Sequence, residues 1–282
     1  MKPNKVYIFF SVAAFFLFLF LPAPQKNQQE AEKPKTGRPA PQIEAQSALA
    51  EDMLTGEVLF SKNSGEILPL ASITKIITLL TVLDYVSLDE EVIVSKASVL
   101  TPEPSSLRVG EHFKVSDLLA MVMTESSNDA IFALFEHVGL AEENFLNLMR
   151  NKAESMGANS MSFSNITGLD VSETVSGGYG SAENLIKIVT ASLDSPIWQY
   201  GSVREVISRE GIHHKLKATN ELGPELTPLL GSKTGYTDLA GGNLLVIVEY
   251  PIGRPLGIVA LGSSEQGRFS DVKKILEWVK SR

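Results

Sequence analysis

Apolar residues along the chain follow two kinds of spacing, which predict strands at both ends of the folded part and helices between them. Short apolar runs bounded by glycine, proline or acidic residues are typical of strands. Apolar residues spaced three and four apart are typical of the buried face of a helix. The predicted strands cover residues 47–52, 57–61, 91–95, 229–233, 243–250 and 256–261. The predicted helices cover residues 72–86, 115–123, 129–138, 142–156, 182–193 and 269–280.

The order of these elements predicts the fold class. Strands at both ends with helices between them are typical of an α+β domain whose terminal segments share a sheet. We therefore expect, over residues 45–282, one antiparallel sheet formed by N- and C-terminal strands and flanked by helices. Residues 101–110 and 157–181 are rich in proline or glycine and are expected to be loops. Residues 199–230 show no clear pattern.

The N-terminal part of the chain is different in kind. Lys2 and Lys5 precede an apolar run over residues 6–21, which is typical of an export signal. The run approaches the ~20 residues that span a bilayer, and no convincing cleavage site follows it. Residues 1–24 are therefore predicted to be a signal anchor, with a cleaved signal peptide as the alternative. Residues 25–44, rich in Gln, Lys, Glu and Pro, are predicted to be a disordered tether.

Composition and charge exclude several classes of function. The net charge is −8 and the acidic excess lies in the folded part, which argues against nucleic acid as a partner. The chain has no cysteine, so disulfides, thiol catalysis and cysteine-held zinc are excluded. The histidines form no His-Glu-x-x-His pattern, and His213-His214 is expected to be a solvated loop pair. We expect neither a metal nor a cofactor.

Three short polar signals carry the candidate chemistry. Ser72 and Lys75 begin a predicted buried helix, where residues three apart lie on one face and backbone N–H groups are free. Ser126 and Asn128 lie on a polar turn between two predicted helices, and residues 233–235 (Lys-Thr-Gly) follow a predicted strand. Together and in this order they are specific. Singly they are weak, because similar patterns occur without support at residues 35–37, 61–63 and 270–273.

The first signal offers a nucleophile and a base. A serine hydroxyl is a weak nucleophile that needs a neighbouring base, and no Ser-His-Asp set is apparent. Lys75 is therefore the candidate base for Ser72, and it can act only when it is neutral. A dry site, the positive end of a helix and a second cation each lower the pKa of a lysine, toward ~7–8 in enzymes. Lys233 would supply the second cation.

With these signals the chain resembles the penicillin-binding, serine D,D-peptidase superfamily, and within it the low-molecular-weight D-alanyl-D-alanine carboxypeptidases. The resemblance implies a β-lactamase/D,D-peptidase-like fold with a mostly helical inserted subdomain. It implies a bacterial enzyme on the extracytoplasmic face of the cell membrane, N-terminally anchored, or exported if the signal is cleaved. The expected partners are peptidoglycan stem peptides ending in D-Ala-D-Ala, with β-lactams as covalent inhibitors. The resemblance runs from Ser47 to Trp278 and rests on residues 52–58, 71–75, 127–130, 165–170 and 233–237.

The resemblance implies a catalytic set. Ser72 would attack the carbonyl of the terminal D-Ala-D-Ala bond, and Lys75 would take its proton. Ser126 would relay a proton to the leaving D-alanine. Asn128 would hold the substrate's amide carbonyl and orient Lys75, whereas Ser127 would be only a spacer.

It also implies a binding set on the strand near the C-terminal end. Lys233, with the hydroxyls of Thr234 and Thr237, would bind the free carboxylate of the substrate. Gly235 belongs to the same Lys-Thr-Gly signal. The backbone N–H groups of Ser72 and Tyr236 would form the oxyanion hole, which is commonly worth ~3 kcal/mol per donor.

Three alternatives stay open. A D,D-endopeptidase that acts on cross-links has the same signals, because the width of the cleft cannot be deduced from the sequence. A class A-type β-lactamase needs a further carboxylate, which Glu143 in Glu-Asn-Phe-Leu-Asn mimics; we interpret it as a decoy inside a helix. An inactive penicillin-binding sensor or scaffold is disfavoured by the intact polar set.

Two features depart from the family pattern. Some members place an arginine near the substrate carboxylate on the last strand, where this chain has Gly-Ser-Ser at residues 262–264. Carboxylate binding is therefore expected to depend more on Lys233. Many of these carboxypeptidases also continue into a second, β-rich domain and a C-terminal amphipathic helix. This chain is expected to end after the first domain, so that its N-terminal segment does any anchoring.

Overall fold

The computed structural model describes residues 39–226 and 228–281. The predicted signal anchor and most of the predicted tether lie outside these residues. The helices are α1 (Lys75–Val82), α2 (Lys96–Val99), α3 (Val115–Glu125), α4 (Asn128–Val138), α5 (Glu142–Ser155), α6 (Ala182–Ala191) and α7 (Gly267–Lys280). The strands are β1 (Ser47–Asp52), β2 (Glu57–Lys62), β3 (Leu68–Pro69), β4 (Glu91–Ile93), β5 (His112–Lys114), β6 (Ser162–Phe163), β7 (Gly178–Gly180), β8 (Glu205–Ile207), β9 (His213–Lys215), β10 (Leu229–Thr237), β11 (Gly241–Glu249) and β12 (Pro255–Ser263).

One antiparallel sheet joins the two ends of the domain. Its strand order is β10-β11-β12-β1-β2, so the first hairpin pairs with the last strand. Val259 on β12 lies opposite Leu49 on one side and Leu245 on the other. The predicted α+β class and shared sheet are therefore confirmed.

Both faces of this sheet are buried, which explains why the C-terminal strands are continuous apolar runs and do not alternate with polar residues. On β11, Leu245 and Ile247 belong to the core shared with α1, α3, α4, α5 and α6. Leu244, Val246 and Val248 point the other way and pack with the apolar face of α7. The sheet thus separates a large helical layer from a single covering helix.

The helix that carries the first signal is shorter than predicted. A 3₁₀ turn over Ala71–Thr74 comes first, and α1 then runs only from Lys75 to Val82. The predicted helix over residues 72–86 was therefore too long at both ends. Every residue of α1 is buried, so the apolar pattern alone could not locate its ends.

The short strands of the domain were mostly missed. β3, β6 and β7 form one small sheet, and β4 pairs with β5. In the stretch without a clear pattern, a 3₁₀ segment (Pro196–Ser202) precedes the hairpin of β8 and β9. Strands of two or three residues are too short to show a hydrophobic period.

The histidine pair differs from the prediction. His213 and His214 lie on β9 and not in a loop. His213 stays exposed beside Glu205, but His214 is buried: its Nε2 lies 2.9 Å from Glu111 Oε1, and its Nδ1 lies 2.9 Å from Ser106 Oγ. Adjacent residues of a strand point to opposite faces, so one member of the pair enters the core.

The end of the predicted tether already belongs to the folded part. Ile43 packs against the core beneath α7, and the Glu44 backbone N–H donates to Asp271 Oδ1 at 3.0 Å. Within residues 39–226 and 228–281, no helix has the length and apolar character needed to cross a bilayer.

Candidate active site

Ser72 lies on a tightly packed turn between β3 and α1. Ala71, the residue before it, has φ +50°, a backbone conformation that residues with a Cβ rarely adopt. Two glycines allow the close packing: a Cβ at Gly168 would lie 1.9 Å from the Ala71 carbonyl oxygen, and one at Gly235 would lie 3.2 Å from the Ser72 nitrogen. The Asn243 side chain also donates to the Pro69 carbonyl oxygen at 2.9 Å. The turn is thus fixed from several sides, and Ser72 stays partly exposed.

Lys75 lies one turn further along the chain, as the spacing predicts. Its Nζ is 2.7 Å from Ser72 Oγ and 3.5 Å from Ser126 Oγ. Burial lowers the pKa of Lys75 to about 7, although the charges of Glu103 and Asp129 act in the opposite direction. The expected second cation is therefore not the main cause. A neutral Lys75 can accept the Ser72 proton near pH 7.

Ser126 joins the two lysines. It directly follows the last residue of α3. Its own backbone has a left-handed conformation, with φ +66°, which turns its side chain toward the cleft. The Lys233 Nζ lies 2.8 Å from Ser126 Oγ and donates to the Thr234 carbonyl oxygen at 2.9 Å. Burial, followed by the charges of Lys75 and Arg268, lowers the pKa of Lys233 well below its ordinary value.

Asn128, the first residue of α4, is engaged by a neighbouring loop. Its Nδ2 donates to the carbonyl oxygens of Pro102 and Glu103, each at 3.1 Å. Its buried Oδ1 has no hydrogen-bond partner among the described residues. The predicted contact between Asn128 and Lys75 is therefore not formed. The atom of the Asn128 side chain that stays unpaired is Oδ1, which can only accept a hydrogen bond.

Ser127 is more than a spacer. Its hydroxyl accepts from the Ala130 N–H at 3.0 Å, which caps α4, and it donates to the buried Asp129 carboxylate. An N-terminal cap of this kind typically contributes ~1 kcal/mol.

The remaining predicted residues line β10 beside the turn. The Thr234 hydroxyl donates to Thr219 Oγ1 at 2.7 Å, and Tyr236 exposes 47% of its surface. Thr237 lies further along, where its hydroxyl donates to Asp170 Oδ1 at 3.0 Å and accepts from the Ala240 N–H at 3.2 Å. A substrate contact by Thr237 stays a prediction, because the hydroxyl would first have to exchange these partners.

Arg268 is the site residue that we did not predict. It lies in the first turn of α7, and its Nη1 donates to the Gly235 carbonyl oxygen at 2.9 Å. The helix that follows the last strand therefore places a positively charged side chain against β10. A sequence signal existed: Arg268 is in phase with the buried residues Val272, Ile275 and Val279, so a charge occupies a core position of the helix.

The geometry brings Ser72, Lys75, Ser126 and Lys233 around a common cleft, and what each does in a reaction stays a prediction. Glu143, the β-lactamase-like candidate, is exposed on the first turn of α5. The arrangement offers a hydroxyl beside a lysine that is half-neutral near pH 7, a bridging hydroxyl, and two further basic groups. Such a set suits acyl transfer from a substrate with an anionic end.

Comparison with known proteins agrees with a site for acyl transfer. Residues 32–264 match the family described as D-alanyl-D-alanine carboxypeptidase. The chain is 32% identical to the D-alanyl-D-alanine carboxypeptidase DacF of Bacillus subtilis over 85% of its own length and 63% of that protein. It is 29% identical to DacC of Escherichia coli over 93% of its own length and 66% of that protein. The chain thus spans slightly less than two thirds of these carboxypeptidases.

A second group of relatives is shorter, and solved structures share the fold. The chain is 29% identical to the D-alanyl-D-alanine endopeptidase of Escherichia coli over 96% of its own length and 89% of that protein. A penicillin-binding protein of Listeria monocytogenes with cefotaxime bound matches with a TM-score of 0.74 and 26% identity, over 87% of this chain and 100% of that one. A variant of a Streptomyces D,D-transpeptidase matches with a TM-score of 0.77 and 25% identity, over 86% of this chain and 100% of that one. Because a single family covers most of its length, this chain is a member of the D-alanyl-D-alanine carboxypeptidase family.

Proposed function

We propose that this protein is a serine D-alanyl-D-alanine carboxypeptidase that removes the terminal D-alanine from peptidoglycan stem peptides. One observation carries the proposal: a lysine with a pKa of about 7 lies 2.7 Å from the hydroxyl of a partly exposed serine. Family membership supplies the substrate class.

The acylation step follows from the contacts. Neutral Lys75 takes the proton from Ser72 as the hydroxyl oxygen attacks the carbonyl carbon of the D-Ala-D-Ala bond. The carbon–nitrogen bond then breaks, and Ser126, which lies between both lysines, passes a proton to the leaving amine. Water subsequently cleaves the ester, which releases the shortened peptide and restores the Ser72 hydroxyl.

The substrate carboxylate would bind at the Lys233 end of the cleft. A carboxylate that enters beside Lys233 favours the charged ammonium, which reverses part of the effect of burial. Arg268 supplies a second and permanently charged group, because a guanidinium stays protonated at any working pH. The Thr234 hydroxyl can complete this contact. The backbone N–H groups of Ser72 and Tyr236 remain the candidate oxyanion donors.

Endopeptidase action on cross-links is the second candidate. It is supported by similarity to the Escherichia coli endopeptidase, which extends over 89% of that protein. The two activities share the acyl-enzyme and differ only in the group that leaves. An inactive scaffold has less support, because the residues that the reaction needs are present in this chain and contact one another.

Covalent binding of β-lactams follows from the same chemistry. A β-lactam would acylate Ser72, and the exposed position of Glu143 leaves no support for a class A-type deacylating base there. The adduct should therefore be long-lived, and rapid hydrolysis of nitrocefin would favour a β-lactamase. Location is a further part of the proposal: the apolar run over residues 6–21 would hold the domain at the extracytoplasmic face of a bacterial membrane.

The test uses the full chain in detergent with purified muropeptides. Release of D-alanine from monomeric pentapeptides is expected from the wild type and not from Ser72→Ala. Conversion of dimers to monomers without D-alanine release would favour the endopeptidase. If neither product formed and penicillin left no adduct on Ser72, the proposed function would be wrong.

A further inference from the structure

A serine, a histidine and a glutamate outside the three signals form a chain of side-chain contacts. His214 Nε2 lies 2.9 Å from Glu111 Oε1, and His214 Nδ1 lies 2.9 Å from Ser106 Oγ. The side chains of His214 and Glu111 are each 3% exposed, whereas Ser106 is exposed. A hydroxyl, a neighbouring base and a third group that orients the base are the parts of an activated serine. The sequence shows no such set, because its members lie on three separate segments.

Glu111 decides which ring nitrogen of His214 carries the proton. Its Oε2 accepts from the Arg108 backbone N–H at 2.7 Å, which holds the carboxylate in place. The His214 ring itself packs edge-on against Phe113, with ring centroids 5.4 Å apart. An ionised carboxylate only accepts hydrogen bonds, so Nε2 carries the proton of the neutral imidazole. Nδ1 then has a free lone pair and accepts from the Ser106 hydroxyl, as a base would.

The backbone on both sides of Ser106 is fixed as well. The N–H groups of Ser105 and Leu107 donate to the buried Asp129 carboxylate at 3.0 and 3.1 Å. This carboxylate holds the loop on the side of α4, and the histidine meets the loop from β9. Both partners of the contact between Ser106 and His214 are therefore positioned by buried groups, which a reactive pair requires.

We propose that Ser106, His214 and Glu111 form a second serine nucleophile, separate from Ser72, which takes acyl groups from activated esters. The Ser106 oxygen attacks the ester carbonyl carbon, and His214 Nδ1 takes the hydroxyl proton. The bond between the carbonyl carbon and the leaving oxygen or sulfur then breaks, and the histidine returns its proton to the leaving group or to solvent. Water subsequently attacks the acyl-serine and gives a proton to His214, which passes it to the departing Ser106 oxygen.

The leaving group limits the class of substrate. Phenolates and thiolates leave as anions, so aryl esters and thioesters need no prior protonation by the protein. An amine leaves an amide only when it is protonated, a step for which the Ser72 site has Ser126. In this second set Ser106 and His214 touch the reacting atoms, whereas Glu111 is a positioning residue. The inference goes beyond the proposed function and does not depend on it.

The test uses the full chain with Ser72→Ala, so that the first nucleophile is absent. One probe is a fluorophosphonate, which bonds to a reactive serine oxygen with loss of fluoride and is located by mass spectrometry of peptides. The other is p-nitrophenyl acetate, whose hydrolysis is followed by release of p-nitrophenolate. Ser106→Ala is added to remove the proposed nucleophile. Ser105→Ala, added instead, is the matched control, because Ser105 is an exposed serine of the same loop.

We expect a phosphonyl adduct on Ser106 and ester hydrolysis, both lost in Ser106→Ala and kept in Ser105→Ala. His214→Gln should slow both reactions by ~10²-fold or more, the usual contribution of a general base. Glu111→Gln tests activation apart from folding. Its amide can donate to Nε2, so the His214 proton should move to Nδ1 and labelling should fall by roughly 10-fold or more. ¹⁵N NMR of histidine-labelled protein reports this tautomer without any reaction.

Several results would overturn the inference. These are the absence of an adduct on Ser106, equal labelling of Ser105, and an unchanged rate in His214→Gln. A proton on Nδ1 of His214 in the Ser72→Ala protein would also overturn it, because the hydroxyl would then have no base. An adduct on Ser106 without ester hydrolysis would overturn the assignment of esters. None of these results bears on the proposed function, which the penicillin adduct on Ser72 tests separately in the single variant Ser106→Ala.

Discussion

The Arg268 guanidinium donates a hydrogen bond to the Gly235 carbonyl oxygen at 2.9 Å, although the two residues lie on different elements 33 positions apart. The contact places a permanent positive charge behind the strand that carries Lys233. Its Nε is buried without a partner among the described residues. A buried donor of this kind is costly unless something accepts from it, and the positive charge beside β10 favours an anionic substrate end near Lys233.

Arg268→Ala should therefore weaken binding of substrates with a free carboxylate. We expect KM for a D-Ala-D-Ala peptide to rise by ~10-fold or more, since charge-assisted hydrogen bonds contribute about 1.5–3 kcal/mol. Arg268→Lys should recover part of the loss. Arg209→Ala, which removes an exposed arginine paired with Glu91, is the control. An unchanged KM in Arg268→Ala would exclude the arginine from carboxylate binding.

Replacing Lys75 should stabilise the protein at low pH and abolish its activity. The folded protein releases the Lys75 proton near pH 7, whereas the unfolded chain holds it to about pH 10.5. The unfolded state therefore binds more protons between these values, and stability rises with pH across this window. Lys75→Met should raise the melting temperature below pH 7, with a gain of about 1–3 kcal/mol in the free energy of unfolding. It should abolish acylation of Ser72.

Thermal unfolding of both proteins at several pH values checks this. The stabilisation by Lys75→Met should be largest below pH 7 and should nearly vanish above pH 10. A constant difference at all pH values would show that shape, and not the charge of the lysine, accounts for it.

Ser126 should matter for proton transfer more than for binding. Because its hydroxyl contacts both lysines, Ser126→Ala should reduce the acylation rate by ~10²–10⁴ while the protein stays folded. Rates of adduct formation with penicillin, measured beside circular dichroism, would test this. Ser61→Ala is a matched control, since Ser61-Lys62-Asn63 copies the pattern on an exposed strand. Near-normal acylation by Ser126→Ala would mean that another group carries the proton.

Gly235 should tolerate no side chain. A Cβ at this position would lie 2.8 Å from the Leu70 carbonyl oxygen and 3.1 Å from the Ala71 Cβ, both in or next to the turn that carries Ser72. Gly235→Ala should cost about 1–3 kcal/mol through overpacking and should move the nucleophile away from β10. Gly201→Ala, where the nearest atom would lie 4.0 Å away, is the control. Wild-type melting temperature and activity in Gly235→Ala would contradict the close approach.

The elements of this protein could be predicted where one pattern runs long enough. The strands around Leu245 and Val259 and the helices α3 to α7 have buried faces that repeat over many residues. The ends of α1 were less well predicted, because this helix is buried throughout and its 3₁₀ start differs from α-helix in hydrogen bonding and not in pattern. The two-residue strands had no period to detect.

By itself the sequence determined the shared sheet, the helical layer and the three signals that supply Ser72, Lys75, Ser126 and Lys233, because these depend on local spacing and on residue type. Only the tertiary structure decided that Arg268 donates to the Gly235 carbonyl oxygen on β10 and that Pro102 and Glu103 occupy the Asn128 amide. It also decided that His214 is buried. Each of these facts is a contact between segments far apart in the chain, and which distant groups meet depends on how the packed elements exclude water together, which no local pattern records.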